Sequence, residues 1–389
     1  MSDAHRITSI HERANATLER AFEMLGEFES RELDLKFSLK KAADMVGRSE
    51  MTIRRAEEDG SLPPPTKSPI SGKRTGYTLE DVNKMRIHFG TAPRRNDDED
   101  PIVIGVQNFK GGVAKTTVSV HASQYFAMAG YRTLLIDADP QASATSMMGL
   151  YPDRDVSPDD TLRAFLEGYD ESLGYAIKAT HWDGLDLIPS DLSLYNAEYV
   201  ISDNDDVANK IDRFEYLRPG VTEIAKAYDV VIIDPPPALG MISLNVLRAI
   251  NALLIPVPPS TIDYASTVSF LFMLRDIITV LEARGRSSDY KFIRMVATKL
   301  DENQTVHREM REMMEQNFGA EMLPNALITS SVYNRANANM CSVYELDLGA
   351  DKTYKRCRVN LDRVLQDLEL EVRKQWKSQK NPLRAAGMA

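Results

Sequence analysis

The chain has 389 residues, with 47 lysines and arginines against 57 aspartates and glutamates, for a net charge of −10. That length accommodates two or three domains of ordinary size. The acidic balance excludes a protein that coats nucleic acid through overall charge, while leaving room for local basic faces. The polar N-terminus is no secretory signal, and no apolar run approaches the roughly 20 residues of a membrane span. Two cysteines, Cys341 and Cys357, have no metal-ligand companions in the sequence and fit a reducing cytosol.

Ile7, Ile10, Ala14, Leu18, Phe22, Leu25 and Phe28 recur at threes and fours among charged residues, which predicts an amphipathic helical arm over residues 1–35. Such an arm docks on its own chain or pairs with a second copy, and the pattern does not choose between them. Residues 36–96 read as a second domain. Ser38 is placed to cap a short helix bearing Ala42, Ala43 and Val46; Gly47 makes a turn; Ser49 caps a helix carrying Met51, Ile53, Arg54 and Arg55. This spacing fits a winged helix-turn-helix presenting Ser49, Thr52, Arg54 and Arg55 to a DNA groove. A helical hairpin with solvated basic residues has the same pattern. Pro63-Pro64-Pro65, Lys67, Lys73, Arg74 and Gly76-Tyr77 form the expected wing, and a further helix begins near Thr78 with Leu79, Val82 and Met85 on one face. Arg94, Arg95 and Asp97-Asp98-Glu99-Asp100 form a polar linker before Pro101.

Residues 97–389 open on Ile102-Val103-Ile104-Gly105-Val106, a strand that enters Lys110-Gly111-Gly112-Val113-Ala114-Lys115-Thr116-Thr117 and then a helix ending near Gly130. Backbone N–H groups of such a loop and the positive end of the helix dipole face a polyphosphate, with Lys115 reaching the β/γ-phosphates and the Thr116 hydroxyl holding Mg²⁺. The strict P-loop pattern fails at Phe109 and Ala114, and an extra lysine, Lys110, precedes the glycine pair. A second strand, Leu134-Leu135-Ile136, ends in Asp137-Ala138-Asp139-Pro140-Gln141. Strand, phosphate loop, helix and strand make a nucleotide-binding α/β unit. Asp139 is then placed to orient or activate the water that attacks the γ-phosphate, with Asp137 supporting the metal region. The same pair also fits two loop carboxylates capping the next helix. Val230-Val231-Ile232-Ile233-Asp234 matches a Walker-B strand whose aspartate holds Mg²⁺, and Pro235-Pro236-Pro237 forces an extended exit.

Further strands are expected at 184–190, 252–259, 292–299 and 322–328. Helices are expected near 162–177, 262–280 and 306–318, and a C-terminal one lined by Leu361, Val364, Leu365, Leu368 and Val372. Thr298, Lys299 and Asp301 are candidates to border a base, Tyr333-Asn334-Arg335 falls in a loop, Ser202–Asp206 is an acidic loop, and Lys377–Ala389 reads as a disordered tail.

The three anchors at the ends of three strands, Lys110-Gly111-Gly112-x-x-Lys115-Thr116, Asp137-x-Asp139-Pro140-Gln141 and Asp234 before the prolines, resemble the ParA/MinD group of deviant-Walker ATPases from about Ile102 to the C-terminal helix. With the arm and helix-turn-helix ahead of them, the arrangement is similar to the larger plasmid-partition ParA proteins (type Ia, including the SopA-like branch) and the RepA partition proteins of repABC plasmids. The resemblance implies an α/β fold with a mostly parallel, doubly wound P-loop NTPase sheet, and ATP/ADP with Mg²⁺ in the loop Lys110 to Thr117. It makes Lys110 the signature lysine that crosses to the partner's phosphates in an ATP-bound homodimer, Asp139 the hydrolytic aspartate and Asp234 the Walker-B aspartate.

The same resemblance implies slow ATP hydrolysis stimulated by a ParB-type partner, non-specific DNA binding by the ATP dimer, and repression of its own operon at operator DNA. It implies a cytoplasmic, nucleoid-associated protein. Lys299, Arg308 and Arg335 are candidates for non-specific DNA contact. Ala114 stands where the group commonly has glycine, and a methyl there strains the loop if φ is positive; larger plasmid members resemble this chain in tolerating it. MinD-type membrane helices carry basic polar faces, whereas the C-terminal helix here also bears Asp362, Asp367, Glu369 and Glu371, so no membrane partner is expected. The competing reading is a nucleotide-switched transcriptional repressor without a partition role. A metabolic P-loop enzyme, such as a dethiobiotin-synthetase-like ligase, is disfavoured by the helix-turn-helix.

Overall fold

The apolar, β-branched runs form the middle of one sheet. A computed structural model describes residues 3–25, 31–67, 72, 74–203, 213–286 and 289–380, the side chains of 21–25 and 202–203 excepted. It divides into two units, Met1–Leu33 and Asp34–Ala389. The first unit holds helix α1 (Asp3–Leu25), along which Ile7, Ile10 and Leu18 are exposed. The side chains of Phe22 and Leu25, and Phe28, lie outside the described residues, as does Lys73.

The second unit begins with α2 (Leu39–Val46), α3 (Glu50–Glu58) and α4 (Leu79–Phe89). Ser38, Ser49 and Thr78 cap these helices, accepting from the amides of Lys41, Thr52 and Asp81. Ala42, Ala43, Val46, Ile53, Leu79, Val82 and Met85 are buried. A bridge joins Phe37, ahead of α2, to Tyr77, just before α4, and a second joins Lys67 to Arg74 between α3 and α4.

Then follow β1 (Ile102–Val106), α5 (Lys115–Ala129), β2 (Thr133–Asp137), three short helices α6 (Ser143–Met147), α7 (Pro152–Asp155) and α8 (Arg163–Leu166), β3 (Lys178–Ala179), β4 (Leu185–Ile188), α9 (Leu194–Asp203) and α10 (Leu217–Ala225). The remainder is β5 (Val230–Asp234), α11 (Met241–Ala249), β6 (Ala252–Val257), α12 (Thr261–Ala283), β7 (Phe292–Ala297), α13 (Thr305–Phe318), α14 (Ser331–Ala338) and α15 (Lys352–Lys374). The seven strands lie in the order β3-β4-β2-β5-β1-β6-β7, parallel except for β3. Strands β1, β2, β5 and β6 are buried throughout, which is why they read as unbroken apolar runs. The chain moves from β1 to β2 on one side, passing the place later filled by β5, and β6 falls on the other side. The loop after β1 therefore opens at the switch point, where an open α/β sheet receives ligands.

Several expectations are corrected. Met322 to Ile328 forms no continuous strand: it meets β7 at an isolated bridge, Met295 to Met322, and at a hydrogen bond from the Leu327 amide to the Ala297 carbonyl, with a second isolated bridge, Leu300 to Ile328, beyond the strand. Tyr333, Asn334 and Arg335 lie in helix α14, begun by Ser330 accepting from the Val332 amide. The helical stretch near 162–177 is α8 plus a 3-10 turn at Leu173–Ala176, followed by the antiparallel edge strand β3. The acidic segment Ser202–Asp206 is helical as far as Asp203, and its remainder lies outside the described residues. The tail is docked as far as Gln379, because Ser378 donates to Glu99 and Gln379 to the Arg94 carbonyl, and buried Trp376 donates to the Asp100 carbonyl; residues 381–389 lie outside the described residues. Helix α12 is, by length and composition, apolar enough to cross a membrane, contrary to the reading of the sequence. It nevertheless carries Asp263, Arg275, Asp276 and Glu282 and buries Thr267, Phe270, Leu274 and Leu281 in the core.

The linker is also more than a solvated spacer. Arg95 is buried and donates to the carbonyls of Tyr228 (3.0 Å), Lys226 (2.6 Å) and Glu99 (2.6 Å). Arg94 donates to the Gly130 carbonyl, and Asn83 of α4 donates to Asp183 at 2.6 Å. Arg86 of α4 is buried against Gly130, at the C-terminal end of α5, where burial lowers its pKa to about 10. The helical segment 36–90 and the linker after it are thus joined to the sheet-bearing part by Asn83, Arg86, Arg94 and Arg95, of which Arg86 and Arg95 are buried. Because hydrogen bonds to charged groups contribute about 1.5–3 kcal/mol each and Arg95 makes several, Arg95→Ala is expected to lower unfolding free energy by about 3 kcal/mol. Urea titration followed by tryptophan fluorescence measures it, with Trp376 packed beside the linker.

Candidate functional site: a phosphate-binding cleft

An open cleft of about 930 Å³ lies over the loop between β1 and α5. Gly111, Gly112, Ala114, Lys115, Thr116 and Thr117 line one wall, Asp139, Gln141 and Ser143 a second, and Pro237 faces them. The far end is made by Lys299, Ile328, Ser330, Tyr333, Asn334 and Asn337. Helix α5 begins at this loop without a side-chain cap, so its first amides are available to an anion.

The loop's shape depends on Ala114, whose φ of 76° is in the left-handed region. The strain anticipated for a methyl group at this position is therefore present. Five hydrogen bonds hold the loop, three of them to residues outside it. Thr298, buried at the end of β7, donates to the Val113 carbonyl at 2.9 Å. Asn108 donates to the Pro256 carbonyl and Thr267 hydroxyl while accepting from the Lys110 amide. The Lys115 ammonium donates to the Lys110 carbonyl at 3.1 Å. Burial lowers the Lys115 pKa, and the charges of Asp234 and Asp139 oppose that shift.

Parallel register sets Asp137 of β2 directly beside Asp234 of β5. Both are fully buried. Burial raises the Asp137 pKa, and the Asp234 charge adds to it; burial also raises Asp234, against the hydroxyls of Thr116 and Ser119. Asp137 is satisfied locally, accepting from the Thr145 amide and hydroxyl (both 2.8 Å) and from the Asp139 amide. It clamps the loop that carries Asp139 and does not line the cleft. Asp234 accepts from Ser119 at 2.9 Å through one oxygen, while Oδ2 is buried with no hydrogen-bond partner among the described residues. An orphaned carboxylate oxygen next to a threonine hydroxyl fits a divalent cation with its water shell. Asp139 lines the cleft and accepts from the Gln141 amide at 2.9 Å, with its pKa raised mainly by burial.

Of the residues singled out in the sequence, Gly111, Gly112, Ala114, Lys115, Thr116, Thr117 and Asp139 meet in the cleft, with Asp234 immediately behind. Val113 is buried beneath the loop, and the Lys110 ammonium points away, paired with Asp263 of α12 at 2.5 Å. Burial opposes but does not overcome the Lys110 ammonium and Ser260 hydroxyl, which hold the Asp263 carboxyl below the ordinary value. Lys299 lines the cleft, Thr298 is a brace beneath it, and Asp301 is engaged outside it with Asn303 and Gln304. Arg335 pairs with Asp351, and Arg308 donates to the Glu302 carbonyl.

Sequence reasoning missed Asn108, Asp263 and His121. Buried His121, one turn after Thr117, accepts from the Val343 amide through Nε2, so Nδ1 carries the proton donated to the Thr117 carbonyl at 2.6 Å. Burial holds its pKa down to about 4, keeping it neutral. The signal in the sequence was a histidine in the middle of a helix, between Val120 and Ala122.

Residues 102–282 match the family described as "AAA domain". The chain is 38% identical over 323 residues to Protein SopA of Escherichia coli (strain K12), covering 82% of each chain. It belongs to the ParA-type plasmid-partition ATPases. A solved structure titled "Partition Protein" shares the fold of this ParA-type chain with a TM-score of 0.69 at 20% identity, over 96% of this chain and 99% of that one. Cobyrinic acid a,c-diamide synthase from Mycobacterium smegmatis, solved with a bound ATP analog and magnesium, is 26% identical with a TM-score of 0.51, over 63% of this chain and 91% of that one.

The left-handed backbone at Ala114 generates a direct test. A non-glycine residue there costs about 1–2 kcal/mol, part of which is offset because glycine gains freedom when unfolded. Ala114→Gly is expected to raise unfolding free energy by about 0.5–1 kcal/mol, read as a higher urea midpoint at unchanged slope.

Proposed function

We propose that this ParA-type protein binds ATP with Mg²⁺ in the cleft, dimerises, and uses slow hydrolysis as a timer for partitioning a low-copy replicon. The observation that carries this reading is the meeting of Lys115, Thr116 and Asp139 in one cleft at the switch point, with the buried, half-satisfied Asp234 behind Thr116. The Gly111–Thr117 backbone amides and Lys115 hold the phosphates, and Asp139 orients the attacking water. Thr116 and Asp234 would hold Mg²⁺, which supplies positive charge to the β- and γ-phosphate oxygens.

Lys110 acts in trans on the second subunit's phosphates. In the single chain Asp263 holds its ammonium aside, so dimerisation exchanges one ion pair for another, and nucleotide supplies the differential affinity that shifts the equilibrium. A ParB-type partner with DNA stimulates turnover, and the ATP dimer holds non-specific DNA, which gives a cytoplasmic, nucleoid-associated distribution.

In this reading the arm over 1–35 serves dimerisation, a role that the family resemblance favours and the residue pattern alone leaves open; a winged helix-turn-helix spans 36–96 and the ATPase 97–389. Support for the DNA-reading module comes from α3, whose Arg54 and Arg55 are exposed, while Ser49 and Thr52 share a hydrogen bond of 2.8 Å at its start. A helix capped in this way presents its first turn and its arginines to a groove, and repression of the protein's own operon follows.

ATP turnover measured with DNA and the partner encoded beside the gene is expected to rise well above the basal rate. No turnover under any of these conditions would leave a nucleotide-switched repressor as the reading. In the same assay Lys110→Gln should bind ATP yet lose hydrolysis or dimer formation, and wild-type turnover there refutes action in trans. Arg54→Ala with Arg55→Ala should weaken operator binding about 100-fold, at roughly 1–3 kcal/mol per specific contact. ATP-dependent binding to non-specific DNA should survive in that variant; loss of both in a mobility-shift titration contradicts separate DNA sites.

A further inference from the structure

Helix α9 contributes no residue of the phosphate-binding motifs, yet two of its side chains, one turn apart on the same face, hold both loops that leave the aspartate-bearing strands. The Tyr195 hydroxyl accepts from the Gln141 side-chain amide at 3.1 Å. Gln141 in turn donates its backbone N–H to Asp139, so this contact fixes the loop at the carboxylate that lines the cleft. The Glu198 carboxylate accepts from the backbone amides of Met241 and of Ile242, the latter at 3.0 Å.

Those amides are the first two of α11, whose own cap residue, Gly240, has no side chain to satisfy them. Glu198 caps the helix from a different element, with its charge at the positive end of the dipole. A Cβ at Gly240 would collide with the Glu198 carboxylate, so glycine at this place is what admits it. The segment from Asp234 to Gly240 is therefore held at one end by strand β5 and at the other by Glu198. Between those anchors Pro237 faces Gly111 across the cleft.

We propose that α9 is a brace for hydrolysis, and that Tyr195 and Glu198 are positioning residues that set the spacing between the Asp139 loop and the Asp234–Gly240 loop around the γ-phosphate. This rests on the proposed roles of Asp139 and Asp234. A brace of this kind acts on the geometry of attack more than on nucleotide binding, because Lys115 and the loop amides, which hold the phosphates, have no contact with α9 among the hydrogen bonds of the described residues. Misplacing a reacting group by about 1 Å lowers rates by about 100-fold.

The test uses the full chain in single-turnover hydrolysis of ATP, with equilibrium binding of a fluorescent ATP analogue and the melting temperature measured alongside. For Glu198→Gln the hydrolysis rate is expected to fall about ten-fold and for Tyr195→Phe about three-fold, with nucleotide affinity within about two-fold of wild type, as for interactions that matter only in the transition state. Tyr195→Phe removes a single hydroxyl from a half-exposed ring and keeps the test valid if Glu198→Gln folds poorly. Rates within two-fold of wild type in both variants would overturn the brace, as would rate, affinity and melting temperature falling together. Asp139→Ala separates the two claims. Wild-type hydrolysis in that variant overturns the reading of Asp139 itself, whereas an inactive Asp139→Ala beside fully active Tyr195→Phe and Glu198→Gln overturns the brace alone.

Discussion

The parallel register of β2 and β5 brings the carboxylates of Asp137 and Asp234 side by side, both removed from solvent. Two adjacent buried acids are costly unless each is compensated, and much of the surrounding structure supplies that compensation. Thr145 and the Asp139 amide satisfy Asp137. Ser119 and Thr116 face Asp234, and the Lys115 charge stands nearby. The compensation is asymmetric. Asp137 is closed off by its own loop, whereas one oxygen of Asp234, next to the phosphate loop, has no hydrogen-bond partner among the described residues. Two residues of the same type on neighbouring strands thus become a structural clamp and a candidate ligand.

Much of this was legible in the sequence because buried parallel strands and phosphate loops have strong local signatures. Unbroken apolar runs of Val, Ile and Leu located β1, β2, β5 and β6, and Gly111-Gly112 with Lys115-Thr116 located the cleft. Serines and threonines at helix starts located α2, α3 and α4. What escaped was decided by contacts between distant segments. Met322 to Ile328 has a strand's composition but runs past β7 with isolated bridges and no continuous ladder. Lys377–Gln379 has the composition of a free tail and is held by Glu99 and Arg94. Asp263, 153 positions from Lys110, has no local mark of its role, and the same is true of Tyr195 and Glu198.

The pairing of Lys110 with Asp263 changes how the extra lysine of the loop is understood. The resemblance makes this lysine one that crosses to a second subunit's phosphates. The ammonium instead rests on the first turn of α12, while the Lys110 carbonyl accepts from Lys115 and its amide donates to Asn108. The backbone of this residue thus belongs to its own cradle, and its side chain is stored at the edge of it.

Helix α5 meets the cleft at Lys115 and ends at Gly130, on which the buried guanidinium of Arg86 rests and to whose carbonyl Arg94 donates. A chain trimmed to start at Pro101 would lose these arginines together with Arg95, leaving the carbonyls of Gly130, Lys226 and Tyr228 without their donors. The sheet-bearing part of this protein therefore depends on the segment before it for hydrogen-bond donors at the end of α5 and at the loop before β5. Its outer surface was shaped with the preceding segment in place, and excision experiments would report on a wounded molecule and not on an isolated function.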